Sequence, residues 1–184
     1  NKTSSKGLYE HFKAVAEAVN IPILLYNVPG RTGVNIPVPV LKELAKIPNI
    51  VGVKEASGNI GYTAKIAAEI PELYIYSGND DMIVPVLSLG GKGVISVLAN
   101  VMPKETHEMC AAFFDGDTEK ARELQLKYFD LIKALFIEVN PIPVKTALNL
   151  MGFDAGNLRL PLTEMAEENL EVLKASMKKA GLID

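Results

Sequence analysis

The sequence predicts an α/β domain, half of an eight-stranded β/α barrel, followed by a small all-helical region. Three observations carry that reading. Short apolar runs alternate with amphipathic stretches at a repeat of roughly 25 residues. The runs are apolar throughout, as strands of a parallel sheet buried on both faces are. After the fourth run the pattern changes, and 117–184 holds helical stretches only. A doubly wound sheet would carry a Gly-rich phosphate turn after an early strand, but GGKG at 90–93 precedes one. Half a barrel therefore fits better than an open sheet. The division expected is 1–116 for the half barrel and 117–184 for the helical region.

In chain order, Ser4 or Ser5 is expected to cap a first helix, with Leu8, Phe12, Val15, Ala16 and Val19 at helical spacing. IPILLYN is the first strand, about 21–27, and VPGRTG reads as loop. VPVLKELAKI is a helix with Pro39 in its first turn. NIVGVKEA gives the second strand, about 50–56, and NIGYTAKIAAEI a crossover helix. LYIYSGND holds the third strand, about 73–78, and DMIVPVLSLGG a short apolar helix. KGVISVLAN holds the fourth, about 93–98. PKETHEMCAAFFDG is a helix that Pro103 starts and Gly116 stops. The tail reads as three helices: DTEKARELQLKYFDLIKALFI, IPVKTALNLMG and TEMAEENLEVLKASMKKAG.

Composition narrows the function classes. The chain has 184 residues, 48% of them hydrophobic and 22% charged, which is ordinary for a globular domain. A net charge of −3 argues against a nucleic-acid partner. No apolar run approaches the roughly 20 residues that span a membrane, and NKTSSKGLYEHF lacks the apolar segment of a signal peptide. The single cysteine, Cys110, makes no internal disulfide and suits a reducing compartment. Two histidines and one cysteine, far apart, have no metal-ligand spacing, so no metal is expected.

Chemistry in a barrel sits at the C-terminal ends of strands. Lys54 is the sharpest signal there. Only about one ordinary lysine in 2,500 is neutral at pH 7, and a Schiff base needs the neutral amine. Burial in an apolar strand favours that form. Gly52, on the same face, is expected to leave room for a small substrate. On position alone Lys54 is as easily a snorkelling lysine as a nucleophile. Tyr26 ends the neighbouring strand; alone it reads as a core tyrosine with its hydroxyl at the rim. Arg31 follows in the loop; alone it reads as a surface arginine. Together, amine, phenol and guanidinium suit an α-keto acid, because a guanidinium holds a carboxylate bidentately. Asp80 and Asp81 are expected to cap the next helix, Glu55 to point toward the helices, and Tyr74 and Tyr76 to pack the strand. His11 and His107 read as exposed helix residues, and Cys110 as a small buried one.

YNVPGRTG followed by GVKEASGN resembles the dihydrodipicolinate synthase and N-acetylneuraminate lyase superfamily. SGND, GGKGVISVLANV and NPIPVK match in order and spacing, so the resemblance covers the whole chain. These are class I aldolase-like (β/α)8 barrels that form a Schiff base with pyruvate. The arginine after VPG resembles the dihydrodipicolinate synthase (4-hydroxy-tetrahydrodipicolinate synthase) branch. That branch condenses pyruvate with aspartate semialdehyde on the way to lysine. The resemblance implies Lys54 as the Schiff-base lysine and Tyr26 as proton donor and acceptor. It implies Arg31 as the carboxylate-binding residue at the entrance, with Gly78 and Ile95 lining the pyruvate pocket. It implies no cofactor, a cytoplasmic location and a homotetramer. It places the chain as the C-terminal half of the barrel, with the first strands absent, so that the chain alone is expected to be impaired. A homo-oligomer or a complementing N-terminal half would cover its open edges. Two other readings stand beside this one: a sister aldolase acting on sialic or sugar acids, and a half-barrel assembly module without turnover.

Overall fold

The computed structural model describes residues 2–184. The chain forms two compact units, one ending at Ile95 and the other spanning Ser96–Asp184.

In the first unit, α1 (Ser5–Ala18) starts at Ser4, whose hydroxyl accepts a hydrogen bond from the Gly7 amide. This supplies one of the partners that a helix start lacks. Then come β1 (Ile23–Asn27), α2 (Pro29–Thr32), α3 (Val38–Leu44) and β2 (Ile50–Glu55). They are followed by α4 (Ile60–Glu69), β3 (Tyr74–Ser77), α5 (Ile83–Ser88) and β4 (Gly93–Val94). All four strands are parallel and ordered β1-β2-β3-β4, so β1 and β4 form the edges. Asn49 binds α1 to this sheet: its Nδ2 donates to the carbonyls of Ala16 and Val19 at 2.9 and 3.1 Å.

One face of the sheet is sealed and the other is open. Leu25, Val53 and Ile75 are buried in a core shared with Leu8 of α1, Leu41 and Leu44 of α3, and Ile66 of α4. Burying each such side chain contributes about 1.5–3 kcal/mol. On the opposite face Leu24, Tyr26 and Tyr74 are 40%, 43% and 51% exposed. The strands are therefore not buried on both faces, as their apolar runs suggest. The run reflects a second face of apolar and aromatic residues on which, among the described residues of this unit, no helix packs.

Local departures have local causes. VPG does not stay a loop: Pro29 starts the single turn α2, which Gly33 ends at φ 66°. The fourth strand is two residues long instead of six. Ser96 Oγ accepts from the Ala99 amide at 2.9 Å, and a 3-10 helix, Leu98–Asn100, begins there. Asp80 and Asp81 do not cap a helix. They are the first residues of a 3-10 turn, Asn79 holds the cap position, and Asp80 is buried.

The second unit is helical: α6 (Pro103–Phe114), α7 (Thr118–Lys127), α8 (Phe129–Ala134), α9 (Ile142–Leu150) and α10 (Glu167–Lys179). The long helix expected from Asp117 onward divides at Tyr128, which leaves helical geometry (φ −97°, ψ 7°). There it joins Leu131, Leu135 and Leu173 in the core. The last helix starts at Glu167 rather than near Thr163, because Glu138 Oε1 takes the Ala166 amide at 2.9 Å and the Asn169 amide at 2.8 Å. Among the described residues no helix is long and apolar enough to cross a membrane.

Candidate active site

Parallel register aligns the strand ends. Tyr26 pairs with Lys54, and Lys54 with Tyr76, in one row across β1, β2 and β3. Alternation puts all three on the open face. Lys54 Nζ lies 4.4 Å from the centre of the Tyr26 ring, so the two predicted residues do meet. An ammonium over a ring face is attracted by the electrons of the ring. Among the described residues no carboxylate forms an ion pair with Lys54. The lysine is half-buried beside exposed neighbours, not sunk into an apolar interior.

Glycines shape its surroundings, though not both as the sequence suggests. A Cβ at Gly78 would come 3.1 Å from Lys54 Cε and 2.6 Å from Ala56 Cβ. Gly78 therefore keeps the stem of Lys54 clear. Gly52 does not leave space for a substrate. A Cβ there would meet Leu24 Cδ2 and the Tyr74 carbonyl, each at 2.6 Å, so that volume is already filled. Ile95 extends the β3–β4 pairing, its amide donating to the Ser77 carbonyl at 2.9 Å, and its side chain is 40% exposed.

Arg31 stands exposed on α2, directly after β1. Thr32 stiffens that turn: its Oγ1 donates to the Val34 carbonyl at 3.0 Å. A cleft of about 340 Å³ opens beside it, lined by Thr3, His11, Phe12, Tyr26, Asn27 and Thr32. His11 therefore reaches the cleft wall, a placement its helical spacing did not suggest. His107 is exposed on α6. Cys110 is half-buried, and burial pushes its thiol up, away from the reactive thiolate.

Behind the row lies a polar group that strand positions alone did not bring together. Glu55 faces the helices, as its alternation predicts, and is buried with Asn27. Asn27 Nδ2 donates to Glu55 Oε2 at 2.6 Å. Tyr62 of α4 donates its hydroxyl to the Ile36 carbonyl. Burial, and then the charge of Glu55, hold the Tyr62 phenol well above the usual tyrosine range. Tyr76, read from sequence as packing, was missed as the third member of the front row; its register with Lys54 is the signal. Among the described residues no cluster of His, Cys, Asp or Glu side chains could hold a metal ion.

The dihydrodipicolinate synthetase family model matches residues 1–180. The chain belongs to that family. A 4-hydroxy-tetrahydrodipicolinate synthase of Caldicellulosiruptor bescii is 61% identical to it over 99% of this chain and 62% of that protein. A crystal structure of a dihydrodipicolinate synthase superposes with a TM-score of 0.96 at 52% identity, covering 100% of this chain and 64% of the other. The chloride-inhibited dihydrodipicolinate synthase from Acinetobacter baumannii, complexed with pyruvate, gives a TM-score of 0.94 at 44% identity over 100% of this chain and 63% of that one. The chain thus spans less than two thirds of the length of the curated relatives it matches. Its α/β fold, four parallel strands and then helices, is that of part of a family β/α barrel.

Proposed function

We propose that this chain carries the Schiff-base centre of a 4-hydroxy-tetrahydrodipicolinate synthase, a lyase that condenses pyruvate with L-aspartate 4-semialdehyde in lysine biosynthesis by way of diaminopimelate. The neutral Lys54 amine adds to the ketone carbon of pyruvate, and loss of water leaves an imine. Loss of a methyl proton turns the imine into an enamine, whose carbon attacks the aldehyde of the second substrate. The protonated imine is the electron sink, so the lysine supplies what a cofactor would. Tyr26 moves the protons of carbinolamine formation and breakdown. Arg31 binds a substrate carboxylate from the exposed turn after β1. Gly78 and the backbone at Ile95 line the pyruvate pocket.

The observation that carries this reading is the contact between Lys54 and Tyr26, 4.4 Å from amine to ring centre, with Gly78 against the lysine stem. The relative from Acinetobacter baumannii that binds pyruvate supports the first substrate. The proposal extends to a cytoplasmic homo-oligomer. Borohydride reduction with pyruvate present, followed by peptide mass spectrometry, tests it. A reduced pyruvate adduct is expected on Lys54 and none in Lys54→Met. A folded wild-type chain without adduct would sink the proposal. A panel of aspartate semialdehyde, N-acetylneuraminate and sugar acids then separates this enzyme from the sister aldolases.

A further inference from the structure

Two residue pairs share the ends of β1 and β2. Tyr26 and Lys54 are in register on the open face; the next pair, Asn27 and Glu55, is in register on the sealed face. The strand ends do not need that second pair to stay together. The Ala56 amide already donates to the Asn27 carbonyl at 2.9 Å, and the Gly78 amide to the Glu55 carbonyl at 2.7 Å. A buried carboxylate and amide carry a desolvation cost that two apolar side chains would avoid. Their advantage is direction: each polar atom fixes a particular partner.

The partners come from several segments. Asn27 Nδ2 donates to Glu55 Oε2 at 2.6 Å and to Asn35 Oδ1 at 2.8 Å. Asn27 Oδ1 accepts from the Ile36 amide at 3.0 Å. The other oxygen of Glu55 accepts from the Ser57 amide at 2.6 Å. From α4, the Tyr62 hydroxyl takes the carbonyl of the same Ile36. Asn27 is 1% and Glu55 3% exposed, so water hardly competes for the bond between them. The far end of the 28–36 segment, which bears Arg31, is thus bonded through Asn35 and Ile36 to the side chain of Asn27, the residue that precedes it.

We propose that the Asn27–Glu55 pair is a positioning clamp: it sets Tyr26 against Lys54 and anchors the turn that presents Arg31. The inference rests on the reading that Lys54 and Tyr26 act on pyruvate. Both are positioning residues, since neither reaches the open face.

The donor and acceptor pattern gives a test by exchange. In Glu55→Gln a new amide must face either the Asn27 amide or the Ser57 N–H, so donor meets donor. In Asn27→Asp one carboxylate meets another. The double variant carries Asn27→Asp and Glu55→Gln together. There the introduced glutamine donates to the introduced aspartate and accepts from the Ser57 amide. That aspartate also accepts from the Ile36 amide, and the exposed Asn35 amide turns to donate to it. The first readout is the rate of borohydride-trapped pyruvate adduct at Lys54, taken well below each variant's melting temperature. Misplacing a reacting group by about 1 Å costs on the order of a hundredfold. Each single variant is expected to lose roughly tenfold or more, and the double to return to within about threefold of wild type, because residues in one network couple strongly. The second readout, amide-hydrogen exchange at Ile36 and Ser57, is expected to show protection of both in wild type, reduced protection of at least one of them in each single variant and recovery in the double.

Folded single variants that trap pyruvate at the wild-type rate would overturn the clamp, as would a double variant no better than the sum of its parts. If wild type traps no pyruvate, the proposed function fails, and exchange alone judges the clamp. Unprotected amides in wild type, or unchanged protection in the single variants, overturn it. If a single variant does not fold, a double that folds supports the clamp and a double that does not overturns it.

Discussion

The two faces of β1 and β2 are built from the same dipeptide steps, Tyr26-Asn27 and Lys54-Glu55, yet they behave differently. The front carries an amine and a phenol beside exposed neighbours, held by one contact of 4.4 Å. The back carries an amide and a carboxylate, both buried, held by bonds of 2.6–3.0 Å to side chains and main chain. The proposed chemistry lies on the face exposed in this chain, and the buried bonds lie behind it. Period-two alternation can thus separate a reacting surface from its support within one step of the chain.

Front and back should fail in different ways. Tyr26→Phe keeps the ring under Lys54 and removes the proton carrier, so pyruvate capture at Lys54 should slow by roughly 10²–10⁴-fold. The melting temperature should stay near that of wild type; a capture rate equal to wild type would break the comparison. Gly78→Ala pushes a methyl against Ala56 Cβ, where a Cβ would sit at 2.6 Å, and against Lys54. It should cost about 1–3 kcal/mol in denaturant unfolding and also slow capture, since it touches both sides. Tyr62→Phe touches only the back. It removes the bond to Ile36 and should cost about 1 kcal/mol.

Its pH signature is more telling. The phenol is held above its ordinary value of 10.0, by burial first and Glu55 second. The folded state therefore keeps a proton that the unfolded chain releases. That stabilisation is fully present below pH of about 10 and declines as pH climbs beyond it. The stability advantage of wild type over Tyr62→Phe should shrink across that alkaline range; a constant difference would count against the buried bond. The smallest effect belongs to the surface. Lys46 and Glu43, 2.7 Å apart and mostly exposed, should contribute about 0.5 kcal/mol or less, and Lys46→Ala should leave capture untouched.

Much of this was legible in the sequence. The apolar runs located β1, β2 and β3 because parallel strands sealed by helices must be apolar on at least one face. Lys54 and Tyr26 could be found at strand ends because a parallel sheet brings successive C-terminal ends together; Gly78 was named by the family resemblance alone. What stayed hidden depended on register or on nonlocal bonds. Tyr76 joins the row only once β2 and β3 are aligned. Asn27 finds Glu55, Asn35 and Ile36 through contacts that no local pattern encodes. The early end of β4 turns on one serine hydroxyl, and the late start of α10 on Glu138, 28 residues away. The apolar runs alone suggest strands buried on both faces, whereas the half-barrel reading implies a face of the sheet left exposed, and Leu24, Tyr26 and Tyr74 are exposed on it.

Among the described residues β1 stands at the edge of the sheet, with Leu24 and Tyr26 exposed and β2 its one strand partner. Such an edge is a template for a further strand. The practical consequence is a shelf life set by concentration: loss of dispersed chain should follow second-order kinetics, so that tenfold dilution lengthens its half-life about tenfold.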